Sequence, residues 1–132
     1  MISKILDSYA LMSFLQDEPS AGAVEDLLIA ATEGKIHLAI CVVNLGEVWY
    51  STKRVISHDA ANRYVSQIQD MAIEVVDANW EIARQAAIYK STGGMSYADC
   101  FAAALAKLRN AELVTGDREF KKVESEIRIS WL

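Results

Sequence analysis

The chain has 132 residues, of which 52% are hydrophobic, and its 13 basic and 18 acidic side chains leave a net charge of −5. A chain of this length can bury roughly two-thirds of its unfolded surface, so one domain spanning residues 1–132 needs no disulfide staples, and the apolar content argues against disorder. The acidic balance opposes nucleic-acid binding through bulk charge. No apolar run approaches the roughly 20 residues that a membrane helix requires, so no membrane association is expected.

Hydrophobic periodicity predicts alternating strands and helices. Ile2 to Leu6 reads as a first strand, ended by Asp7, and Tyr9 to Leu15 as a short helix. An acid met so early does not suit a signal peptide, and the expected compartment is the cytoplasm. The only proline, Pro19, lies in a turn, after which Ser20 is expected to cap a helix carrying Val24, Leu27, Leu28 and Ala31 on one face. Glu33-Gly34 ends it, and Ile36 to Ile40 is a second strand. A helix from about Leu45 to Val55 follows, then another opened by His58-Asp59 with Ala61, Tyr64, Val65 and Ile68 on one face. Ile73 to Val76 is a third strand. Asn79 caps a helix expected to turn Trp80, Ala83 and Ala87 inward, and Thr92-Gly93-Gly94 is a loop. Ser96 caps the helix from Tyr97 to Leu108, which is apolar on nearly every side and is expected to be central. Glu112 to Val114 and Ile127 to Trp131 complete the strands. Cys41 and Cys100 both lie in apolar surroundings and read as buried thiols, without metal-ligand spacing.

Strands separated by helices predict an α/β fold: a three-layer α/β/α arrangement around a central, mostly parallel sheet of four to five strands. In such sheets ligands bind beyond the carboxyl ends of the strands. Asp7 and Asp117 stand just past two of those ends, and Glu47 and Asp99 fall in the first turns of helices, so the topology gathers four acids near one edge. Two carboxylates about 5 Å apart at an effective dielectric of about 20 repel by roughly 3 kcal/mol. Such a cluster needs protons, basic partners or divalent cations, and hard oxygen donors favour magnesium or manganese. Each acid also has a purely structural reading. Asn44-Leu45-Gly46-Glu47 and Ser96-Tyr97-Ala98-Asp99 have the form of capping boxes, while Asp7 and Asp117 suit helix caps. Capping explains the tolerance of each acid, but not why four should fall on one edge. No serine or cysteine has a histidine placed to make it a nucleophile, and His37 and His58 read as structural or exposed.

The residues Ile5-Leu6-Asp7-Ser8, Val43-Asn44-Leu45-Gly46-Glu47-Val48, Met95 to Ala106 around Ser96-Tyr97-Ala98-Asp99, and Leu113-Val114-Thr115-Gly116-Asp117-Arg118-Glu119-Phe120 resemble, in order and spacing, the motifs of PIN-domain proteins. The nearer likeness is to the VapC toxins of toxin–antitoxin pairs. The resemblance places Asp7, Glu47, Asp99 and Asp117 on the family's acidic positions. It implies a metal-dependent endoribonuclease acting on structured RNA, with one or two Mg2+ or Mn2+ ions held by the four acids and products ending in 5′-phosphate and 3′-hydroxyl. Ser8 and Thr115 would support the ligands and Arg118 would hold a phosphate. It also implies a cognate antitoxin, whose basic tail suits the charge of this chain, and a homodimer. Tyr9 is larger than the small residue often found at its position, with consequences for access to the site. Two other readings compete: a PIN-fold interaction module without catalysis, and a receiver-like signalling domain. The second lacks the acidic pair after the first strand.

Overall fold

The computed structural model describes all residues, 1–132. Five strands, β1 (Ile2–Leu6), β2 (Ile36–Cys41), β3 (Ile73–Val76), β4 (Glu112–Thr115) and β5 (Ile129–Trp131), form one sheet in the order β3-β2-β1-β4-β5. Every neighbouring pair is parallel, with Ile2 opposite Ile36, Lys4 opposite Glu112, Leu38 opposite Ile73 and Leu113 opposite Ile129. Helices α1 (Ser8–Leu15) and α2 (Ala21–Thr32) connect β1 to β2, α3 (Val42–Val55) and α4 (His58–Gln69) connect β2 to β3, and α5 (Trp80–Ser91) and α6 (Tyr97–Leu108) connect β3 to β4. A turn of 3-10 helix, Arg118–Val123, leads toward β5.

Alternation along the strands sorts the apolar side chains into two layers. Ile5, Ala39, Cys41 and Leu113 join the buried faces of α5 and α6, with Phe120, Val123 and Ile127. Leu6, Leu38, Ile40, Ile73 and Val114 join α1 to α4 through Leu11, Val24, Leu28, Leu45, Val48 and Ile68. This is the expected three-layer α/β/α architecture with a parallel five-stranded sheet. Helix α6 is as central as its composition implies: Asp99 to Ala106 are buried without interruption. Cys41 and Cys100 are free and fully buried.

Three local expectations are corrected. Helix α5 turns Ile82, Ala86 and Tyr89 inward, whereas Trp80 is 75% exposed, Ala87 is exposed and Ala83 is only partly covered. The helix is rotated because the bulkier set at i, i+4 and i+7 wins the contact with α6. Helix α3 starts at Val42, directly after β2, so Asn44 is inside its first turn and is not its cap, and Glu47 falls in the second turn instead of the first. Ser20 precedes α2 in a helical conformation and its side chain makes no capping bond. The expected caps Asp7, Asn79, Ser96 and Asp117 do accept N–H bonds, from Ala10, Ile82, Asp99 and Glu119. Ser57, one residue before the expected opening at His58, caps α4.

Candidate active site

The strand order sets the location of the site. The chain runs outward from β1 to β2 and β3 on one side and returns through β4 and β5 on the other, so β1 and β4 flank the point where the order reverses. In open parallel sheets ligands bind beyond the strand ends at such a point, where the connections lead away on opposite faces. Asp7 follows β1, Thr115 ends β4 and Asp117 stands two residues later. Helices α3 and α6 bring Glu47 and Asp99 to the same edge from the two outer layers.

Asp7 is 1% exposed. One of its oxygens accepts the N–H of Ala10 at 2.9 Å and the other accepts the hydroxyl of Thr115. The Thr115 hydroxyl in turn accepts the backbone N–H of Asp117 at 3.0 Å. One threonine thereby ties the acid after β1 to the acid after β4. Ser8 donates its hydroxyl to Glu47 Oε1 at 2.6 Å, joining α1 to α3. Asn44 is fully buried, and its amide N–H donates to the carbonyl of Ala98 at 3.0 Å and to Glu47 Oε1 at 3.4 Å. It therefore couples α3 to the residue preceding Asp99. The Asp99 N–H is capped by Ser96 Oγ at 3.2 Å.

The electrostatics record the crowding. Burial, reinforced by the charges of Asp99 and Glu47, pushes the Asp7 carboxyl up to about 7 against the pull of its bonds to Thr115 and Ala10. Burial, with the charges of Asp117, Glu47 and Glu119, also pushes Asp99 to about 7. Neither carboxyl is in an ion pair with a basic side chain. The four acids named from the sequence are thus mutually felt through Asp7 and Asp99, and Asp99 joins the two halves of the group.

A fifth acid joins them. Single carboxylate oxygens of Asp99, Asp117 and Glu119 lie within 4.8 Å of one another, a spacing that suits shared coordination of a cation, and Asp7 and Glu47 fall outside this set. Sequence reasoning passed over Glu119 because it sits in the turn after Asp117 as one more exposed acid. Only the 3-10 geometry, begun by the bond from the Glu119 N–H to Asp117 Oδ1 at 3.0 Å, folds it back. Asn44 was also misjudged; an amide within an otherwise apolar stretch was the available signal. Arg118 is exposed, and its guanidinium lies over the Trp131 ring, 4.7 Å from the centroid. To hold a phosphate it must share or leave that contact. His37 and His58 are occupied elsewhere, with Glu74 and Trp49.

The donor set fits a divalent cation. It consists of carboxylates alone, two of them buried and held near neutrality by desolvation and like charge, and hard oxygen donors of this type match magnesium or manganese. The largest concavity elsewhere, about 360 Å³ between Ala106–Ala111 and Glu124–Arg128, lies before the starts of β4 and β5, at the opposite edge of the sheet.

Comparison with solved structures finds the same fold. VapBC2 from Rickettsia felis, bound to a promoter DNA fragment, is similar at a TM-score of 0.75 and 16% identity over 98% of both chains. DNA-bound VapBC from Salmonella typhimurium gives 0.75 and 18% over 98% of both. Mycobacterium tuberculosis VapC20, a Sarcin-Ricin loop cleaving toxin, gives 0.72 and 15% over 91% of this chain and 94% of that one. At these identities the likeness speaks for the fold. A search of curated proteins finds no match. The family is settled by sequence instead: a model of the PIN domain matches residues 4–126, and the chain belongs to the PIN domain family.

Proposed function

We propose that this chain is a metal-dependent endoribonuclease of the VapC type, hydrolysing phosphodiester bonds in structured RNA and restrained by a cognate antitoxin. The observation that carries the reading is the convergence of Asp7, Glu47, Asp99 and Asp117 at the switch point of the sheet, with two of the carboxyls pushed to about 7 and no basic partner to neutralise them. A structural role would have paired these acids, since unpaired buried charge is costly.

Asp7, Glu47, Asp99 and Asp117, with Glu119 at the rim, would hold one or two Mg2+ or Mn2+ ions. Such ions, when bound, supply Lewis-acid activation of water and charge neutralisation at the scissile phosphate. The chain's own work is positional. Thr115 fixes the orientation of Asp7 and the path of the backbone at Asp117, while Ser8 and Asn44 hold Glu47 by one oxygen. Asp7 and Asp99 shed their protons when a cation takes the site. Arg118 would contact a substrate phosphate by sharing or leaving the Trp131 ring. Ser8 and Ser96 stand among the acids, but their hydroxyls are engaged with Glu47 and the Asp99 N–H and no histidine is beside them to activate either, so the nucleophile in this reading is water.

The antitoxin rests on the fold shared with VapBC complexes and on the net charge of −5, which suits a basic tail laid over the acids. The homodimer belongs to the same proposal, with the exposed apolar side chains Tyr50, Val55 and Ile56 at the end of α3 as surface it would cover. No helix is long and apolar enough to cross a membrane, and the reading places the protein in the cytoplasm.

The test is cleavage of a total-RNA pool by the purified chain, with magnesium or manganese, with chelator, and with Asp7→Asn. Discrete fragments that need metal and disappear in the variant are expected, and mapping their ends names the target. Intact RNA in every lane, with folding and metal binding verified, would overturn catalysis and favour an interaction module.

A further inference from the structure

Gly116 and Tyr9 form a pair that neither the fold nor the acid cluster requires. Gly116 lies between Thr115, which bonds Asp7, and Asp117. Its backbone does not call for glycine, since the glycines with positive φ are Gly34, Gly93 and Gly94. What calls for it is the Tyr9 ring: a Cβ at position 116 would fall 2.3 Å from Cε1, 2.6 Å from Cζ and 2.8 Å from the hydroxyl oxygen of Tyr9. Contacts below about 3 Å are excluded by van der Waals repulsion, so any side chain at 116 would drive the ring from its seat. A glycine at a strand end costs conformational entropy. Here the visible return is a place for the phenol.

Tyr9 is the second residue of α1, immediately after Ser8, which bonds Glu47, and two residues after Asp7. Its phenol end is therefore held against the segment joining Thr115 to Asp117, at the rim of the acid group, while 41% of the residue remains open to solvent. An acid cluster repels RNA phosphates until cations are in place and has no means of gripping a base. A fixed, half-open aromatic ring beside it does: stacking is indifferent to charge and tolerant of base identity, and unpaired bases are what protein aromatics capture in RNA.

We propose that Tyr9, seated by Gly116, is a stacking platform for an unpaired RNA base next to the phosphate presented to the acids. It acts as a positioning and specificity-determining residue, and the inference rests on the reading of the site as one that receives RNA. It follows that the chain selects sites with an extruded or single-stranded base beside the cut.

The test measures binding, so that it stands apart from cleavage. A labelled single-stranded RNA decamer of mixed A and U, and the same decamer with one abasic position walked along it, are titrated in magnesium against full-length Asp99→Asn and against that chain carrying Tyr9→Leu, Tyr9→Phe or Gly116→Ala. Thermal melts establish folding. Tyr9→Leu is expected to weaken binding of the intact RNA about 5- to 150-fold. Tyr9→Phe should stay close to the parent, and Gly116→Ala should weaken binding although the ring is retained. One abasic position should cost the Tyr9 chain a similar factor and cost Tyr9→Leu nothing, a coupling that a merely structural tyrosine would not give. Equal binding by the parent and Tyr9→Leu, an abasic loss independent of Tyr9, or no RNA binding by the parent overturns the proposal. The nuclease reading is judged separately. Metal-dependent cleavage by the unsubstituted chain with no dependence on Tyr9 removes the platform alone, whereas Tyr9-dependent binding without cleavage removes catalysis alone.

Discussion

Two clusters of charge in this protein are built in opposite ways. On β3, Glu74 receives both terminal nitrogens of Arg109, at 2.7 and 2.9 Å, and His37 Nε2 at 2.7 Å. The Arg109 bonds, with His37, hold its carboxyl down at about 2. At the other cluster Asp7 and Asp99 are held up at about 7, by burial first and by neighbouring carboxylates second. The first cluster is neutral within the fold and exposed. The second has Asp7 and Asp99 buried, carries like charge, and is supported only by hydroxyls, the Asn44 amide and backbone N–H groups. A protein that can pair an acid so completely on one strand has left its most buried acids without a basic partner, and the proposed cation site rests on that difference.

The contrast breaks most visibly at Asp99. Asp99→Asn is expected to reduce metal-dependent cleavage by more than the roughly 100-fold that disturbing a supporting residue of a metal site typically costs. It should also raise the metal-free melting temperature at pH 8 by roughly 3–6 °C, as removal of about 1 kcal/mol of repulsion would. A drop in stability with activity intact would return Asp99 to a capping role.

The pH response sharpens the comparison. Asp7 and Asp99 titrate near 7 in the folded chain and near 3.8 when unfolded, so between these values the folded state holds more protons. Their contribution to stability is therefore full below about pH 4 and is lost as the pH rises through 7. Metal-free melting temperatures should fall from pH 5 to pH 8, and saturating manganese should reverse the fall. Because ligation displaces these protons, metal affinity should climb over the same interval, read by calorimetry in buffers of different ionisation enthalpy. Glu74 runs the other way: its depressed value makes its stabilisation present above about 4.5 and lost as the pH falls through 2.

Thr115→Val tests the support beneath the acids. It removes the hydroxyl that holds Asp7 and lowers its pKa, so the carboxyl should move further up and metal affinity at pH 7 should fall about 10- to 100-fold. The smallest effect belongs to the satisfied cluster. Glu74 and Arg109 are exposed enough for solvent to screen them, and Arg109→Ala should cost less than about 1 kcal/mol in a denaturant titration, shrinking further in high salt.

Much of this arrangement was legible in the chain. Alternation and helix periodicity separated the strands from the helices, and short apolar strands divided by helices implied a parallel sheet. The acids after β1 and β4 then fell at strand ends where such sheets bind ligands. The face of α5 was not legible, because Trp80 and Ile82 are both apolar and only contact with α6 chooses between them. Nor was the first turn of α3: Asn44 has the form of a cap, yet β2 runs into the helix at Val42 and turns the amide toward Ala98.

The sequence by itself determined the fold class, because hydrophobic period is a local property of neighbouring residues, and it determined that Asp7 and Asp117 stand just past strand ends and Asp99 in a first helical turn. Tertiary structure decided the rest. The distance between acids far apart in the chain depends on strand order, which places β1 beside β4 and brings Thr115 onto Asp7. The recruitment of Glu119 depends on the first turn of a short 3-10 helix. The seating of Tyr9 depends on an absent side chain at position 116, more than a hundred residues away, and no local pattern carries a contact of that kind.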